Sequence, residues 1–462
     1  MDTPLDARTR ALLEAPIVPT LLRLAIPNVI TTLVQASTGL IEAYFIGMLG
    51  TDALAGTALV VPGIMLMQMM SAGAMGGGVS SAIARALGAG RRDDADALVV
   101  HAFVIAASFA AVFTLAVVAG GPWLYGALGG RGAVLEAALA YSNVMFSGVI
   151  LLWLFNTLAN ILRGTGNTFV PAVVTMVGAV LLIPLSPCLI FGWGPLPQLG
   201  IVGGAAALLA YYALGTIAFA LYLWSGRSVL TPRLGSTRLR WRLFWEILRV
   251  GGAASLVALM TNLTIALTTA LVAPFGPAAL AGYGVGARLE YLLVPLTFGF
   301  GGALVALVGT NIGAGNRDRA RRAAWIGAGI AFVLTEIVGL AAAAAPGAWI
   351  GLFGSDPGMI EAGSLYLRIV GPFYGFFGLG MALYFASQGA GRLVWPLLAG
   401  LVRLVIAVGA GWVALRLTGS LGSMFAALSL GLVAYGVILS AAIRSGAWFR
   451  CKGRATQQAI GA

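Results

Sequence analysis

Polar positions along this chain are few and bunched. Between them run twelve apolar stretches, centred near residues 17–46, 53–84, 97–120, 134–161, 168–192, 199–224, 244–273, 278–310, 323–345, 359–386, 394–415 and 421–443. Each is long enough to cross a hydrocarbon layer of about 30 Å as a helix of about 20 residues. None shows the alternation over about ten residues that marks an outer-membrane strand. The pattern predicts an all-α polytopic membrane protein with twelve transmembrane helices. Proline or paired glycine interrupts several runs, at Pro27, Pro62, Pro184 with Pro187, Gly251 with Gly252, and Pro295. Bent helices are expected there, because neighbouring helices satisfy the backbone groups that a proline frees.

Composition removes the soluble alternative. Of 462 residues, 60% are hydrophobic and 9% charged, against roughly 25% charged in an average globular protein. The net charge of +12 is unevenly spread. Arg8 and Arg10, Arg91 and Arg92, Arg227 to Arg242, Arg317 to Arg322, and Arg444, Arg450, Lys452 and Arg454 fall before the first span, after even-numbered spans and in the tail. Arg131 and Arg416 are almost alone in the opposite loops. The positive-inside rule then places both termini in the cytoplasm, in a bacterial inner membrane. It also assigns these arginines to lipid headgroups and not to nucleic acid. The first run lacks a small-residue cleavage site followed by soluble sequence and reads as a retained span. Cys188 and Cys451 are too few for a disulfide framework or a structural zinc site. The single histidine, His101, is expected at the interface and excludes a histidine-rich metal centre. With no cluster of acids, histidines or metal ligands, the chain is expected to be no enzyme and to hold no cofactor.

An internal repeat organises the rest. Sliding the chain on itself by about 225 residues aligns GTDALAG (Gly50 to Gly56) with GPAALAG (Gly276 to Gly282), and LGAG (Leu87 to Gly90) with IGAG (Ile312 to Gly315). Glu136, Ala137 and Tyr141 fall on Glu361, Ala362 and Tyr366, and RGTGNTFVP, ending at Pro171, falls on QGAGRLVWP, ending at Pro396. The expected organisation is a six-helix lobe over 1–225, a cytoplasmic linker over 226–248, and a second six-helix lobe with a basic tail over 249–462. Six is even, so both lobes enter from one side and are related by an axis along the membrane normal. Two such bundles suit alternating access.

Candidate chemistry sits on the first span. Asn28, Thr31, Gln35, Thr38 and Glu42 are spaced three, four, three and four apart, one helical face. Helix packing accounts for Asn28 and Thr31. Glu42 differs, since an ionisable group inside a span normally marks a water-filled path or a proton relay. Its expected partners are Gln35, Asn156 and Asn160. The repeat-related face on span seven carries Thr261, Thr264 and Thr268, with Asn262 beside it, and no charge. Tyr283, with Tyr44, Phe45 and Tyr291, is suited to stack on flat cations. Arg288 and Glu290, two apart, point differently and are expected to contact other helices. Glu336 and Arg403 are candidates to pair with each other. Methionines crowd span two around Gln68 (Met65, Met67, Met69, Met70, Met75), but spread over too many helix faces for one cavity.

The length, the span count, the LGAG sequence after span two, the RGTGNT and QGAGRL motifs after spans four and ten, Arg288-Leu289-Glu290 and Arg403 together resemble the multidrug and toxic compound extrusion (MATE) family of the wider multidrug/oligosaccharidyl-lipid/polysaccharide exporter superfamily. The resemblance implies an antiporter that exports small organic cations or amphipathic drugs against protons or sodium ions and works as a monomer in the bilayer. It implies that Glu42 is the ion-coupling carboxylate, with Glu in place of the more usual Asp. Gln35, Thr38, Asn156, Asn160, Thr261, Asn262, Thr264, Tyr283, Arg288 and Glu290 would line the substrate path. Acids that sodium-coupled members carry in spans seven and ten are absent, which favours the proton. The alternative is a flippase for a lipid-linked saccharide or cell-wall precursor. Its pyrophosphate cargo calls for several embedded cations, where only Arg288 and Arg403 are expected.

Overall fold

The structure, a computed structural model, describes residues 6–194, 197–233, 235, 237–446 and 448. Twelve spans follow a short helix, Ala7–Glu14, whose first turn is capped by Asp6. They are α1 (Ile17–Gly47), α2 (Thr51–Gly88), α3 (Arg92–Ala127), α4 (Gly132–Ser147 and Val149–Gly164, bent by 48°), α5 (Phe169–Phe191), α6 (Ile201–Trp224), α7 (Trp241–Phe275), α8 (Pro277–Gly313), α9 (Arg317–Ala344), α10 (Pro357–Gly389), α11 (Val394–Thr418) and α12 (Leu421–Arg444). No strand occurs among the described residues.

Several helices run past their apolar cores. Arg92 opens α3, and Arg317, Arg319, Arg321 and Arg322 lie in the first turns of α9, so these arginines are helical and not in loops as expected. Similarly, α7 begins at Trp241, inside the stretch read as linker. A helix satisfies its own backbone, so it continues into water for as long as its residues tolerate the conformation. Arg450, Cys451, Lys452 and Arg454 lie outside the described residues.

The repeated glycine motifs are helix stops. Gly90, Gly166, Gly315 and Gly391 all adopt positive φ, from 69° to 79°, a region open to glycine without steric penalty. The residue after Gly90, Gly166 and Gly391 closes the turn by donating its N–H to the carbonyl five positions back, as in Arg91 to Ala86 at 2.9 Å.

The repeat also conserves helix breaks while changing their chemistry. In α2 the turn Met69–Met75 is π-helical, and the position 225 residues beyond Met70 is Pro295 of α8. Conversely, Pro184 of α5 corresponds to Gly409, inside the π-helical turn Val405–Ala410 of α11. An inserted residue and a missing donor both interrupt the i to i−4 ladder.

The chain forms two compact units. The first comprises Met1–Ser255 and Phe298–Ala314, and the second Leu256–Thr297 and Gly315–Ala462. The first thus takes in the opening turns of α7 and the closing turns of α8. Within it, α2 and α8 cross on repeat-related glycines. A Cβ on Gly88 would run into the Thr310 backbone, and one on Gly313 into the Arg85 backbone. Residues 88 and 313, like 85 and 310, are 225 apart. The core of this unit is aromatic and aliphatic, with Trp153 stacked on Phe109 at 5.2 Å. The linker is clamped onto α3. Asp94 takes Arg91, Arg240 and Arg242 at 2.8–2.9 Å, and Asp96 accepts the Thr231 N–H at 2.8 Å. His101 is fully buried beneath the linker, with Nδ1 2.7 Å from the Ala97 carbonyl and Nε2 accepting the Arg240 N–H at 2.8 Å.

Candidate functional site

In α1 the polar stripe turns into the first unit. Asn28, Thr31, Thr38 and Glu42 are buried, Gln35 is half-buried, and Leu33 and Leu40 are exposed. The Thr31 and Thr38 hydroxyls donate to carbonyls of their own helix, Pro27 and Gln35, at 2.8 and 2.7 Å. Glu42 reaches across to α4, where the buried Tyr141 hydroxyl donates to Oε1. Gly204 of α6 makes room for the carboxylate, since a Cβ there would stand 3.3 Å from Oε1. Among the described residues the result is a single carboxylate, walled off by α1, α4 and α6 and held by one hydroxyl donor.

Asn156 and Asn160 do not serve as partners of Glu42. The Asn156 amide donates to Gln68 Oε1 at 3.1 Å and Ser71 Oγ at 2.9 Å, and that of Asn160 to the Ala72 carbonyl at 3.1 Å. Both asparagines buttress the π-helical turn of α2, whose altered ladder offers carbonyls to side chains. Gly76 leaves the space that Asn160 occupies. The bend in α4 between Ser147 and Val149 explains the difference. Tyr141 lies before it, level with Glu42, whereas 156 and 160 lie on the second limb.

Sequence reasoning missed Arg163. Asn156, Asn160 and Arg163 continue one face at spacings of four and three, so extending that face by one turn would have found it. Arg163 Nε donates to Asn28 Oδ1 at 3.2 Å, and Asn28 Nδ2 donates to the Gly299 carbonyl at 3.4 Å. Arg85 is buried in α2 and bonded to the Ser81 hydroxyl.

The second unit is built differently. Thr261, Asn262 and Thr264 bond carbonyls one turn back on α7, at 2.8–3.1 Å. Asn262 is exposed and Thr264 buried. A carboxylate enters from α8 instead, where half-buried Glu290 accepts the Tyr366 hydroxyl at 2.5 Å. Tyr366 is the repeat mate of Tyr141, so each unit has a buried tyrosine at the equivalent position donating to a carboxylate from a different helix. Tyr283 packs edge-on against Tyr366 at 5.4 Å and stacks on Phe425 at 6.1 Å. Arg288 is exposed, with its guanidinium 5.7 Å from the Phe353 ring centre.

Glu336 and Arg403 do not pair. Glu336 accepts the Gly375 N–H at 2.6 Å, and Arg403 lies over the Phe377 and Tyr435 rings at 5.8 and 5.7 Å. Each side chain meets contacts of its own, which spacing along the chain does not reveal. The α2 methionines divide, Met67 fully buried and Met65 63% exposed, as their spread around the helix requires. Tyr44 is exposed, and the Tyr291 side chain lies outside the described residues.

A family model described as MatE matches the chain twice, over residues 27–188 and 253–413. Among curated relatives, a FAD transporter of Shewanella oneidensis is 29% identical, covering 86% of this chain and 87% of its own length. A probable multidrug resistance protein NorM of Deinococcus radiodurans is 31% identical over 91% of this chain and 93% of its own. A solved structure described as an outward-facing multidrug resistance MATE family transporter of the MOP superfamily shares the fold. Its TM-score is 0.86 at 24% identity, over 96% of this chain and 99% of that one.

Proposed function

This chain belongs to the MatE family, and from that premise we propose that it is a proton-coupled antiporter exporting cationic or amphipathic organic compounds from a bacterial cytoplasm by alternating access. The observation that carries the reading is Glu42, a buried carboxylate on α1 whose one hydrogen-bond donor among the described residues is the Tyr141 hydroxyl. A buried carboxylate with one donor is stable in either protonation state only at a price in solvation, so small changes in its surroundings move the proton. Protonation neutralises it and lowers the barrier to excluding water around α1. Pro27, which lacks the N–H for the Arg23 carbonyl, is the pivot through which α1 responds. A differential protonation energy of a few kcal/mol suffices to shift a two-state equilibrium.

Gln35, Thr38, Asn156, Asn160, Thr261, Asn262, Thr264, Tyr283, Arg288 and Glu290 are assigned to the substrate path. FAD, named for one relative, is amphipathic and falls within the proposed substrate class. Both termini are assigned to the cytoplasm and the transporter to a monomer. Membrane vesicles with separately imposed pH and sodium gradients test the reading. Export of an amphipathic dye should follow the pH gradient, ignore sodium, and vanish in Glu42→Gln. Undiminished pH-driven export by that variant removes Glu42 from the mechanism.

A further inference from the structure

A groove of about 710 Å³ opens on the surface of the second unit between α9 and α12, with α10 beneath it. Phe376 and Leu379 of α10 form its floor, half-buried against Gly436 of α12, where a Cβ would stand 3.2 and 3.3 Å from their side chains. Trp325 of α9 lines one side, and Val437, Ser440, Ala441 and Arg444 of α12 the other. The helices α9 and α10 come together two turns beyond Trp325, where Phe332 meets Phe376 edge-on at 5.5 Å. Outside the groove the same helices expose Val333, Ile337 and Leu340 on α9 and Leu430 on α12, so the surface around it faces hydrocarbon.

The two ends of the groove differ in chemistry. From Val437 to Arg444 α12 advances by about 10 Å, so the groove stays within one leaflet of a hydrocarbon layer about 30 Å thick. Arg444 is the last residue of α12, and α9 starts on the same membrane face, with Arg321 and Arg322 one turn before Trp325. Side chains three and four apart share a helix face, which puts these arginines at the end of the groove that Arg444 marks. Arg321 is paired with Asp318 at 3.4 Å, whereas Arg322 and Arg444 are exposed and, among the described residues, ion-pair with no carboxylate. The indole of Trp325 lies just inside them, a position that amphipathic rings favour at a membrane interface. An occupant has to be apolar over part of one leaflet and negative at the interface. A membrane-spanning partner would use the full depth of the bilayer, and this groove stops short of the midplane. The first repeat has no counterpart, since the residues 225 positions before Trp325, Phe376 and Arg444 are Val100, Leu151 and Phe219.

We propose that this groove binds one anionic phospholipid, with an acyl chain along Phe376, Leu379 and Val437 and the phosphate and headgroup at Arg322 and Arg444. Arginine meets phosphate oxygens in a two-point contact, and cations at a membrane face attract anionic lipid. The leaflet is the cytoplasmic one under the orientation assigned to the termini. The site itself does not rest on the exporter reading.

Native mass spectrometry of the purified full-length protein in detergent reads lipid occupancy directly, with phosphatidylglycerol and phosphatidylcholine of the same acyl chains as probes. One phosphatidylglycerol should bind more tightly than phosphatidylcholine, by about fivefold for each arginine. Arg322→Gln and Arg444→Gln should each lose about that factor and leave phosphatidylcholine binding unchanged. Ala441→Trp, at an exposed position, should fill the groove and weaken the binding of both lipids. Should that variant fail to fold, Val437→Trp makes the same test. Equal affinity of the wild type for the two lipids overturns the proposal, as does a phosphatidylglycerol preference that survives both arginine substitutions. Lipid binding untouched by the tryptophan puts the lipid elsewhere and overturns it too, and a dimer mass that Ala441→Trp abolishes would give the groove to a second copy instead. None of these readouts involves transport, so they are independent of the Glu42→Gln assay.

Discussion

Glu42 and Tyr141 show how one residue is legible in sequence and its partner is not. A glutamate within an apolar span stands out, because its insertion is unfavourable by a few kcal/mol unless it has a use. A tyrosine in the same setting is ordinary. The repeat did carry a signal, since Tyr141 and Tyr366 align, but a shared tyrosine says nothing of which helix brings its carboxylate. Glu42 comes from α1 and Glu290 from α8, and only packing decides that. Tyr141→Phe removes the donor to a buried carboxylate, a bond of about 1.5–3 kcal/mol when one member is charged. Its thermal unfolding midpoint should fall clearly below that of the wild type. Glu42→Gln keeps an acceptor for the same hydroxyl and should melt close to the wild type. Equal midpoints for wild type and Tyr141→Phe would show that the tyrosine does not hold the carboxylate.

At the scale of the element, the breaks in α2 and α11 were hidden and those at proline were plain. Proline announces a missing donor in its own letter, whereas the π-helical turn of α2 meets side chains from a neighbouring helix. Asn160 supplies that support in α2 through the Ala72 carbonyl, and Asn156 through Ser71. The shared face of 156 and 160 was readable, but its target was not, because α4 bends by 48° and the two limbs face different neighbours. Asn160→Leu strands that carbonyl in an apolar setting, at a cost of about 1–3 kcal/mol. The variant should unfold at lower temperature than the wild type, and hydrogen exchange should rise over residues 69–76 before other parts of α2. Uniform exchange along α2 in the variant would mean that the π-helical turn stands without Asn160.

Over the whole molecule, the arginine asymmetry recurs in both repeats and leads to a simple test of topology. In a background without Cys188 and Cys451, single cysteines replace Arg238, Asn316 or Leu128, all exposed. An impermeant thiol reagent added to intact cells should label only position 128, in the connection between α3 and α4. Labelling at 238 would reverse the assigned orientation. The sequence by itself determined the twelve spans, the repeat and the presence of a carboxylate on α1. Apolar length, a shift of about 225 residues and a lone charge are local quantities that need no knowledge of neighbours. The tertiary structure alone decided that Asp94 gathers three arginines, that Glu336 and Arg403 go to different partners, and that Arg163 meets Asn28. Those pairings join residues from separate helices, whose rotation and depth are set by packing. In a chain where nearly every span is apolar on all sides, periodicity does not encode which face meets which.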